Sequence, residues 1–211
     1  MTRVALISAT PAAIGPATAA LGERFPAADL WNLLDDKLLA DARNGVTPEL
    51  AERMRRLIAY AVHGGADAVL LTCSLYGQLA RTSTASVPVL APDDAAFDDV
   101  LARAPRRVLV LASIAAALHD SVTRLRDRAP RLQVVGVHAP EAFAATGDTK
   151  ALTDILLRAC QQESTVDSVL LAQYSLAPAT VPLAAATGLP VFSGPRSAAA
   201  RLKALVGQCS G

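Results

Sequence analysis

Short apolar runs that end in polar residues recur along the chain, and the segments between them carry apolar positions at helical spacing. Such runs are typical of buried parallel strands, which deliver polar residues into loops at their carboxyl ends. They predict strands near residues 4–8, 29–33, 68–72, 87–90, 108–112, 132–137, 168–172 and 190–192. Because strands and helices alternate, the pattern predicts an α/β fold with parallel sheets covered on both faces.

The clearest helical pattern runs from Pro48 to about Val62. Thr47 is placed to cap its amino end, and proline is favoured at the first helical position. Its apolar stripe consists of Leu50, Met54, Leu57, Ile58 and Ala61. Gly64 and Gly65 are expected to end the helix.

The chain repeats its own pattern. Residues 66–74, ADAVLLTCS, return as residues 166–174, VDSVLLAQY, and two further pairs of segments match in the same order: 3–8 with 107–112, and 87–92 with 189–194. A period of about 100 residues is too long for a solenoid, whose units are ~20–50 residues. We therefore predict two similar α/β lobes, residues 1–100 and 101–211, with a seam between Asp98 and Arg107. Each lobe is expected to be a mainly parallel four-stranded sheet flanked by helices, with the site in the cleft between the lobes.

Composition and charge narrow the class of function. The 211-residue chain is 52% hydrophobic, has a formal net charge of +1, and carries scattered arginines with few aromatic residues among them. It lacks the clustered basic face of a nucleic-acid-binding protein, so we expect a small-molecule partner. The longest apolar stretch, residues 108–118, is shorter than the ~20 residues that span a bilayer, and Met1 leads directly into a strand without a secretory signal. We expect a cytoplasmic protein with no membrane partner.

The cysteines Cys73, Cys160 and Cys209 are odd in number and widely spaced. That spacing gives neither a disulfide framework nor a metal site, so the sequence predicts reduced thiols and no metal. Cys160 fits a buried helix face, and Cys209 is expected to be frayed or exposed because it is close to the chain end. Cys73 alone follows a predicted strand directly. Ligands bind at the carboxyl ends of parallel strands, so Cys73 is the candidate reactive group.

Residues 66–74 resemble the first cysteine motif of the aspartate/glutamate racemase superfamily. Residues 6–11 and 170–175 lie where that superfamily places its other site loops, and length, duplication and strand order extend the resemblance over essentially the whole chain. The superfamily includes glutamate, aspartate and hydantoin racemases, maleate isomerases and arylmalonate decarboxylases. The resemblance implies chemistry without a cofactor at a carbon next to a carboxylate. In two-cysteine members, each lobe supplies one thiol.

A thiol suits such chemistry when its pKa is lowered toward neutrality, because it can then both take and return a proton. A racemase needs two such groups, on opposite faces of the carbon. In this chain the repeat aligns Cys73 with Gln173, an amide that can hydrogen-bond but is neither an acid nor a base near pH 7. A symmetric two-thiol racemase is therefore disfavoured.

One positioned thiol suits two other reactions. In a decarboxylase, loss of CO2 creates an enediolate, and a single acid delivers the proton to one face. In an isomerase or lyase, Cys73 adds to an activated double bond as a nucleophile. Both reactions need hydrogen-bond donors for the negative charge on a carboxylate or enediolate. The candidate substrate-binding residues are Ser8, Thr10, Thr72, Ser74, Ser113, Gln173, Tyr174 and Ser175.

Alternative functions stay open. The chain could be an amino-acid racemase in which Tyr174 or another non-cysteine group partners Cys73, although a tyrosine of ordinary pKa needs strong perturbation to act as a base. It could also be a non-catalytic protein that binds small carboxylates on the same fold. A homodimer is the assembly that the resemblance implies. Among the remaining polar residues, His138 is the best histidine for the site because it follows a predicted strand, and Asp93 fits a helix N-cap.

Overall fold

The chain forms two parallel four-stranded sheets with the same strand order. The computed structural model describes residues 1–43, 45–163 and 165–209. The first sheet has the order β2-β1-β3-β4 and the second has β6-β5-β7-β8. The strands are β1 (Thr2–Ser8), β2 (Ala28–Leu34), β3 (Ala68–Leu71), β4 (Val89–Leu90), β5 (Arg107–Ala112), β6 (Gln133–His138), β7 (Ser168–Leu171) and β8 (Val191–Ser193). All eight predicted strands are confirmed, with ends that differ by at most two residues, and so is the predicted α/β class.

Helices occupy the connections between strands. They are α1 (Ile14–Arg24), α2 (Lys37–Asp41), α3 (Pro48–His63), α4 (Gly77–Arg81), α5 (Asp94–Ala102), α6 (Ala115–Arg128), α7 (Glu141–Ala144), α8 (Thr149–Gln161), α9 (Thr180–Thr187) and α10 (Gly194–Cys209). Short 3₁₀ segments follow three of the central strands, at Pro11–Ala13, Ser74–Tyr76 and Tyr174–Ala179. No helix among the described residues is both long and apolar enough to cross a membrane.

Helix α3 forms where the sequence predicts it. The Thr47 hydroxyl accepts a hydrogen bond from the Leu50 backbone N–H at 3.3 Å, which satisfies one of the unpaired donors at the amino end. Its buried face consists of Leu50, Met54, Ile58 and Ala61. The helix ends at Gly64, where a Cβ atom would lie 2.5 Å from the Trp31 ring, so only glycine fits between the helix end and that ring.

The described chain divides into two compact units, one from Met1 to Asp94 together with the residues from Pro195 onward, the other Ala95–Gly194. The sequence predicted the lobes as residues 1–100 and 101–211, so the units differ from that prediction in the helix that follows each sheet. Helix α5 buries Ala96, Phe97 and Val100 in the core of the second sheet. Helix α10 belongs to the first unit, where Arg196 forms an ion pair with Glu23 of α1.

The central strands are buried on both faces. Every residue of β3 and of β7 is buried, as is usual for parallel strands with helices on each side, and this explains why these runs are continuously apolar in the sequence. In each sheet the second strand pairs on one side of the first strand, and the third strand pairs on its other side. The strand order therefore changes direction between β1 and β3 and between β5 and β7. Parallel sheets bind ligands at the carboxyl ends of the strands at such switch points.

Candidate functional site

The predicted site residues lie at the two switch points, one set in each unit. In the first unit, Ser8 ends β1 and is followed by Thr10, while Thr72, Cys73 and Ser74 follow β3. In the second unit, Ser113 follows β5, and Gln173, Tyr174 and Ser175 lie just beyond the end of β7. The fold therefore brings the sequence-distant halves of each predicted set together, because β1 pairs with β3 and β5 pairs with β7.

Cys73 is the second residue after β3 and the first one there that is not buried. Its backbone is extended, with φ −119° and ψ 120°, and it precedes the 3₁₀ segment Ser74–Tyr76. The Cys73 carbonyl accepts from the Tyr76 N–H at 3.1 Å, which fixes this turn. The side chain is partly exposed, whereas Cys160 is buried in the core as predicted. The side chain of Cys209 lies outside the described residues, so its predicted exposure stays a prediction.

The surroundings of Cys73 favour the protonated form of its thiol. Burial, together with the negative charge of Asp93, raises the pKa of the Cys73 thiol to about 12, against the lowering effect of the Leu75 and Tyr76 backbone N–H groups. The shift is opposite to the one that suits a thiol for both taking and returning a proton. The physical reason is that the loss of water around the sulfur outweighs the two amide hydrogen bonds. The raised pKa favours the protonated thiol at neutral pH.

Several predicted ligand-binding hydroxyls are instead bonded to their neighbours. Thr72 donates to the Ser8 hydroxyl oxygen at 2.9 Å, and both side chains are buried. Ser74 donates to a carboxylate oxygen of Asp93 at 3.2 Å, and both of these are buried as well. These pairs join the ends of neighbouring segments around Cys73. Their proposed contact with a substrate stays a prediction.

Asp93, which the sequence analysis assigned to a helix cap, also acts on the pKa of Cys73. It immediately precedes α5, as a cap residue does, but it is also buried, bonded to Ser74 and close enough to raise the pKa of Cys73. A signal was present in the sequence. Asp93 follows the predicted strand β4, so it was expected at the same edge of the sheet as Cys73.

In the second unit Gln173 occupies the position equivalent to Cys73. Both residues are extended, both precede a 3₁₀ segment, and both are partly exposed between buried neighbours. The Gln173 side-chain oxygen accepts from the Ser113 N–H at 2.6 Å, the Ser113 hydroxyl at 3.1 Å and the Ile114 N–H at 3.2 Å. His138 contacts the Ser113 carbonyl through Nε2 at 3.2 Å. Tyr174 and Ser175 are buried.

The equivalent backbone amides of the first unit are those of Ala9 and Thr10. They follow β1 as Ser113 and Ile114 follow β5, and no hydrogen-bond acceptor for them lies among the described residues. The Thr10 hydroxyl likewise has no partner in that part of the chain, and its side chain is partly exposed. The end of β1 thus offers two backbone donors and one hydroxyl beside the strand that carries Cys73.

Two cavities lie away from these strand ends. One of about 440 Å³ is lined in the first unit by α3 and residues 82–86. Another of about 700 Å³ is lined in the second unit by Arg106, Arg107 and Arg131, near the amino ends of β5 and β6. Neither is lined by a predicted site residue. Within the described part of the chain, no group of three or more His, Cys, Asp or Glu side chains is arranged to hold a metal ion.

The fold is that of known racemases and a decarboxylase. Aspartate racemase from Picrophilus torridus matches with a TM-score of 0.80 and 16% identity, over 98% of this chain and 95% of that one. A glutamate racemase from Bacillus anthracis matches with a TM-score of 0.80 and 11% identity, over 99% and 82% of the two chains. Arylmalonate decarboxylase matches with a TM-score of 0.66 and 20% identity, over 98% and 93%. The resemblance predicted from the sequence is confirmed at the level of the fold.

No protein-family model matches the chain, and no match was found among curated proteins. The structural likeness therefore stands on backbone architecture and strand order, at identities of 11% to 20% for these three proteins. What the chain does has to be argued from its own strand-end residues.

Proposed function

We propose that this protein is a cofactor-independent enzyme that acts at the carbon alpha to a carboxylate of a small acid, with Cys73 as its single thiol acid. A decarboxylation is the reaction that the site supports best. The observation that carries the proposal is a thiol with a raised pKa just after β3, at a position that in the second half of the repeat is held by an amide, Gln173, just after β7.

The protonation of Cys73 favours proton donation over the other roles of a thiol. Because its pKa is raised well above the ordinary thiol value, the thiolate of Cys73 is a minor form at pH 7. A nucleophile and a base that removes an α-proton both need the thiolate. An acid needs the proton in place, which Cys73 has. The isomerase and racemase alternatives are therefore less favoured than the decarboxylase.

The proposed reaction balances with one proton. The bond between the α-carbon and one carboxylate breaks, its electron pair stays on the α-carbon, and CO2 leaves. The resulting enediolate of the remaining carboxylate takes the proton from the Cys73 sulfur. The thiolate that remains is strongly basic because its pKa is raised, so it regains a proton from water and the cycle closes.

The end of β1 supplies donors for the charge that develops. The backbone N–H groups of Ala9 and Thr10, which lack acceptors among the described residues, and the Thr10 hydroxyl lie beside the strand of Cys73. Oriented donors of this kind stabilise an oxyanion without the cost of reorienting water. The buried Ser8–Thr72 hydrogen bond holds the two strand ends together and so positions these donors relative to the thiol.

The fold supports this proposal, because proteins with the same architecture include an arylmalonate decarboxylase as well as aspartate and glutamate racemases. A non-catalytic carboxylate-binding protein on this fold would need neither the thiol nor its proton. Turnover that depends on Cys73 separates the two ideas.

The test is turnover in D2O. The protein is incubated separately with aryl- and alkylmalonates, maleate, aspartate and glutamate, and products are followed by NMR. We expect CO2 loss from a malonate, with one deuterium delivered to one face of the product. Cys73→Ala should reduce this turnover by about 10²-fold or more, the usual contribution of a positioned acid.

Cys160→Ala is the matched control, because it removes a thiol from the core of the second unit and should leave turnover unchanged. Turnover of a malonate that survives Cys73→Ala would contradict the role given to the thiol. Deuterium exchange into unreacted aspartate or glutamate would instead support the racemase alternative.

A further inference from the structure

The Gln173 carboxamide is fixed in one orientation by three donors on a single oxygen. The Ser113 N–H, the Ser113 hydroxyl and the Ile114 N–H converge on it at 2.6, 3.1 and 3.2 Å. Two of these donors are backbone N–H groups, which cannot accept a hydrogen bond. A flipped amide would place its NH2 group against them, so the oxygen must face the Ser113 turn.

This orientation determines where the donors of Gln173 are available. The oxygen and the NH2 group share one planar carbon, so the NH2 group is turned away from Ser113 and Ile114. No acceptor for the side-chain nitrogen lies among the described residues. The side chain is partly exposed. Gln173 therefore presents two unpaired N–H donors at the carboxyl end of β7.

We infer that Gln173 is a ligand-binding residue whose oriented NH2 group donates to a carboxylate or carbonyl oxygen of a small acid. Ser113 is its positioning residue, since it supplies two of the three bonds that hold the oxygen. This inference rests on the proposed function and deepens it: the residue that replaces the second thiol binds an acceptor and takes no proton. Amide N–H groups stay neutral at any physiological pH, so this contact favours an ionised carboxylate without a counter-charge.

The Gln173→Glu variant tests the NH2 group of the side chain separately from the oxygen that accepts from Ser113 and Ile114. A glutamate carboxylate can still accept from Ser113 and Ile114, so the turn is retained. The free NH2 donors, however, are replaced by an oxygen that repels a carboxylate. We expect the thermal midpoint of unfolding to stay equal or rise, while binding of malonate, measured by calorimetry, weakens about 10- to 100-fold.

Two further variants serve as comparisons for the effect of Gln173→Glu on malonate binding. Gln162→Glu makes the same chemical change at an exposed position at the end of α8, so malonate binding should be unchanged there. Ser113→Ala removes the hydroxyl donor but keeps both backbone donors to Gln173, so binding should weaken by less than in Gln173→Glu. In the wild-type protein, the side-chain NH2 resonances of Gln173, identified by their loss in Gln173→Glu, should shift when malonate is added.

The inference is overturned if Gln173→Glu binds malonate as tightly as the wild type, or if the Gln173 NH2 resonances do not respond. It is equally overturned if malonate, acetate and succinate all fail to bind the wild-type protein. The proposed function fails by a different result, namely turnover that is unaffected by Cys73→Ala. A chain that binds malonate through Gln173 but shows no Cys73-dependent turnover would be a carboxylate-binding protein.

Discussion

The pKa of the Cys73 thiol is determined by groups that act in opposite directions. Burial raises its pKa most, the Leu75 and Tyr76 backbone N–H groups lower it, and the Asp93 carboxylate raises it. Asp93 is itself buried and bonded to Ser74, and a buried charge is screened less by water than an exposed one. The acid–base chemistry of Cys73 thus depends on a residue twenty positions further along the chain.

Replacing Asp93 by asparagine should lower the pKa of Cys73. The asparagine oxygen can still accept from Ser74, but the negative charge that disfavours the thiolate is gone. The pKa is read from the ultraviolet absorbance of the thiolate as pH rises, with the Cys73→Ala titration subtracted.

Asp99→Asn is the control, since Asp99 is an exposed residue of α5 and is not one of the groups that shift the pKa of the thiol. Its titration curve should match the wild type. If the pKa of Cys73 is unchanged or higher in Asp93→Asn, Asp93 does not raise the pKa of the thiol.

At the scale of elements, the turn before β3 and the turn before β7 use the same backbone shape with different residues. Gly65 has φ +85° and the equivalent Thr165 has φ +72°. Glycine adopts this left-handed region freely, whereas a β-branched residue is strained there. The Thr165 hydroxyl accepts from Arg107 at 2.9 Å, which offsets part of that strain in the second unit.

Gly65→Ala should therefore destabilise the protein by about 1–2 kcal/mol, the cost of a Cβ atom in the left-handed region. The space around Gly65 does not oppose the substitution, since the nearest atom to an added Cβ is an Arg3 side-chain nitrogen at 3.8 Å. The measurement is the free energy of unfolding in denaturant.

The same substitution at Gly22 should have the opposite sign. Gly22 lies in α1, and nothing is within 4 Å of an added Cβ, so alanine should stabilise the helix by about 0.5–1 kcal/mol. If Gly65→Ala and Gly22→Ala shift stability equally, backbone conformation is not what distinguishes the two sites.

At the scale of the whole molecule, several buried acids hold their protons far into the alkaline range. Burial raises the pKa of Cys73 and of Tyr76 to about 12, and that of Cys160 to about 11. In the unfolded chain these groups ionise at their ordinary, lower pKa values. The folded state therefore binds more protons than the unfolded state at alkaline pH, and this contribution to stability is complete only below the ordinary values.

The free energy of unfolding should fall as pH rises from about 9 toward about 12, by up to about 1.4 kcal/mol per pH unit for each group that is ionised only in the unfolded chain. Denaturant unfolding at a series of pH values measures this slope. Cys160→Ala should reduce this slope by the contribution of one ionising group. A slope that is the same with and without Cys160 would mean that this thiol ionises alike in both states.

The strand ends could be predicted because a parallel strand covered on both faces must be apolar throughout and must turn polar where it leaves the core. That rule located Cys73, Gln173 and Ser113 correctly at strand ends. The helices that follow β4 and β8 were harder. An apolar stripe indicates that a helix buries one face, but it does not indicate which sheet the helix covers. Periodicity therefore could not predict the unit to which α5 and α10 belong.

The sequence by itself determined the duplicated α/β architecture, the eight strands and the equivalence of Cys73 and Gln173 in the repeat, because each depends on local patterns of apolar and polar residues. Only the tertiary structure decided how these residues are charged and oriented. Burial and Asp93 keep Cys73 protonated, and the Ser113 turn fixes the Gln173 amide. The reason is that a pKa and a side-chain orientation depend on atoms that the fold brings together from distant parts of the chain.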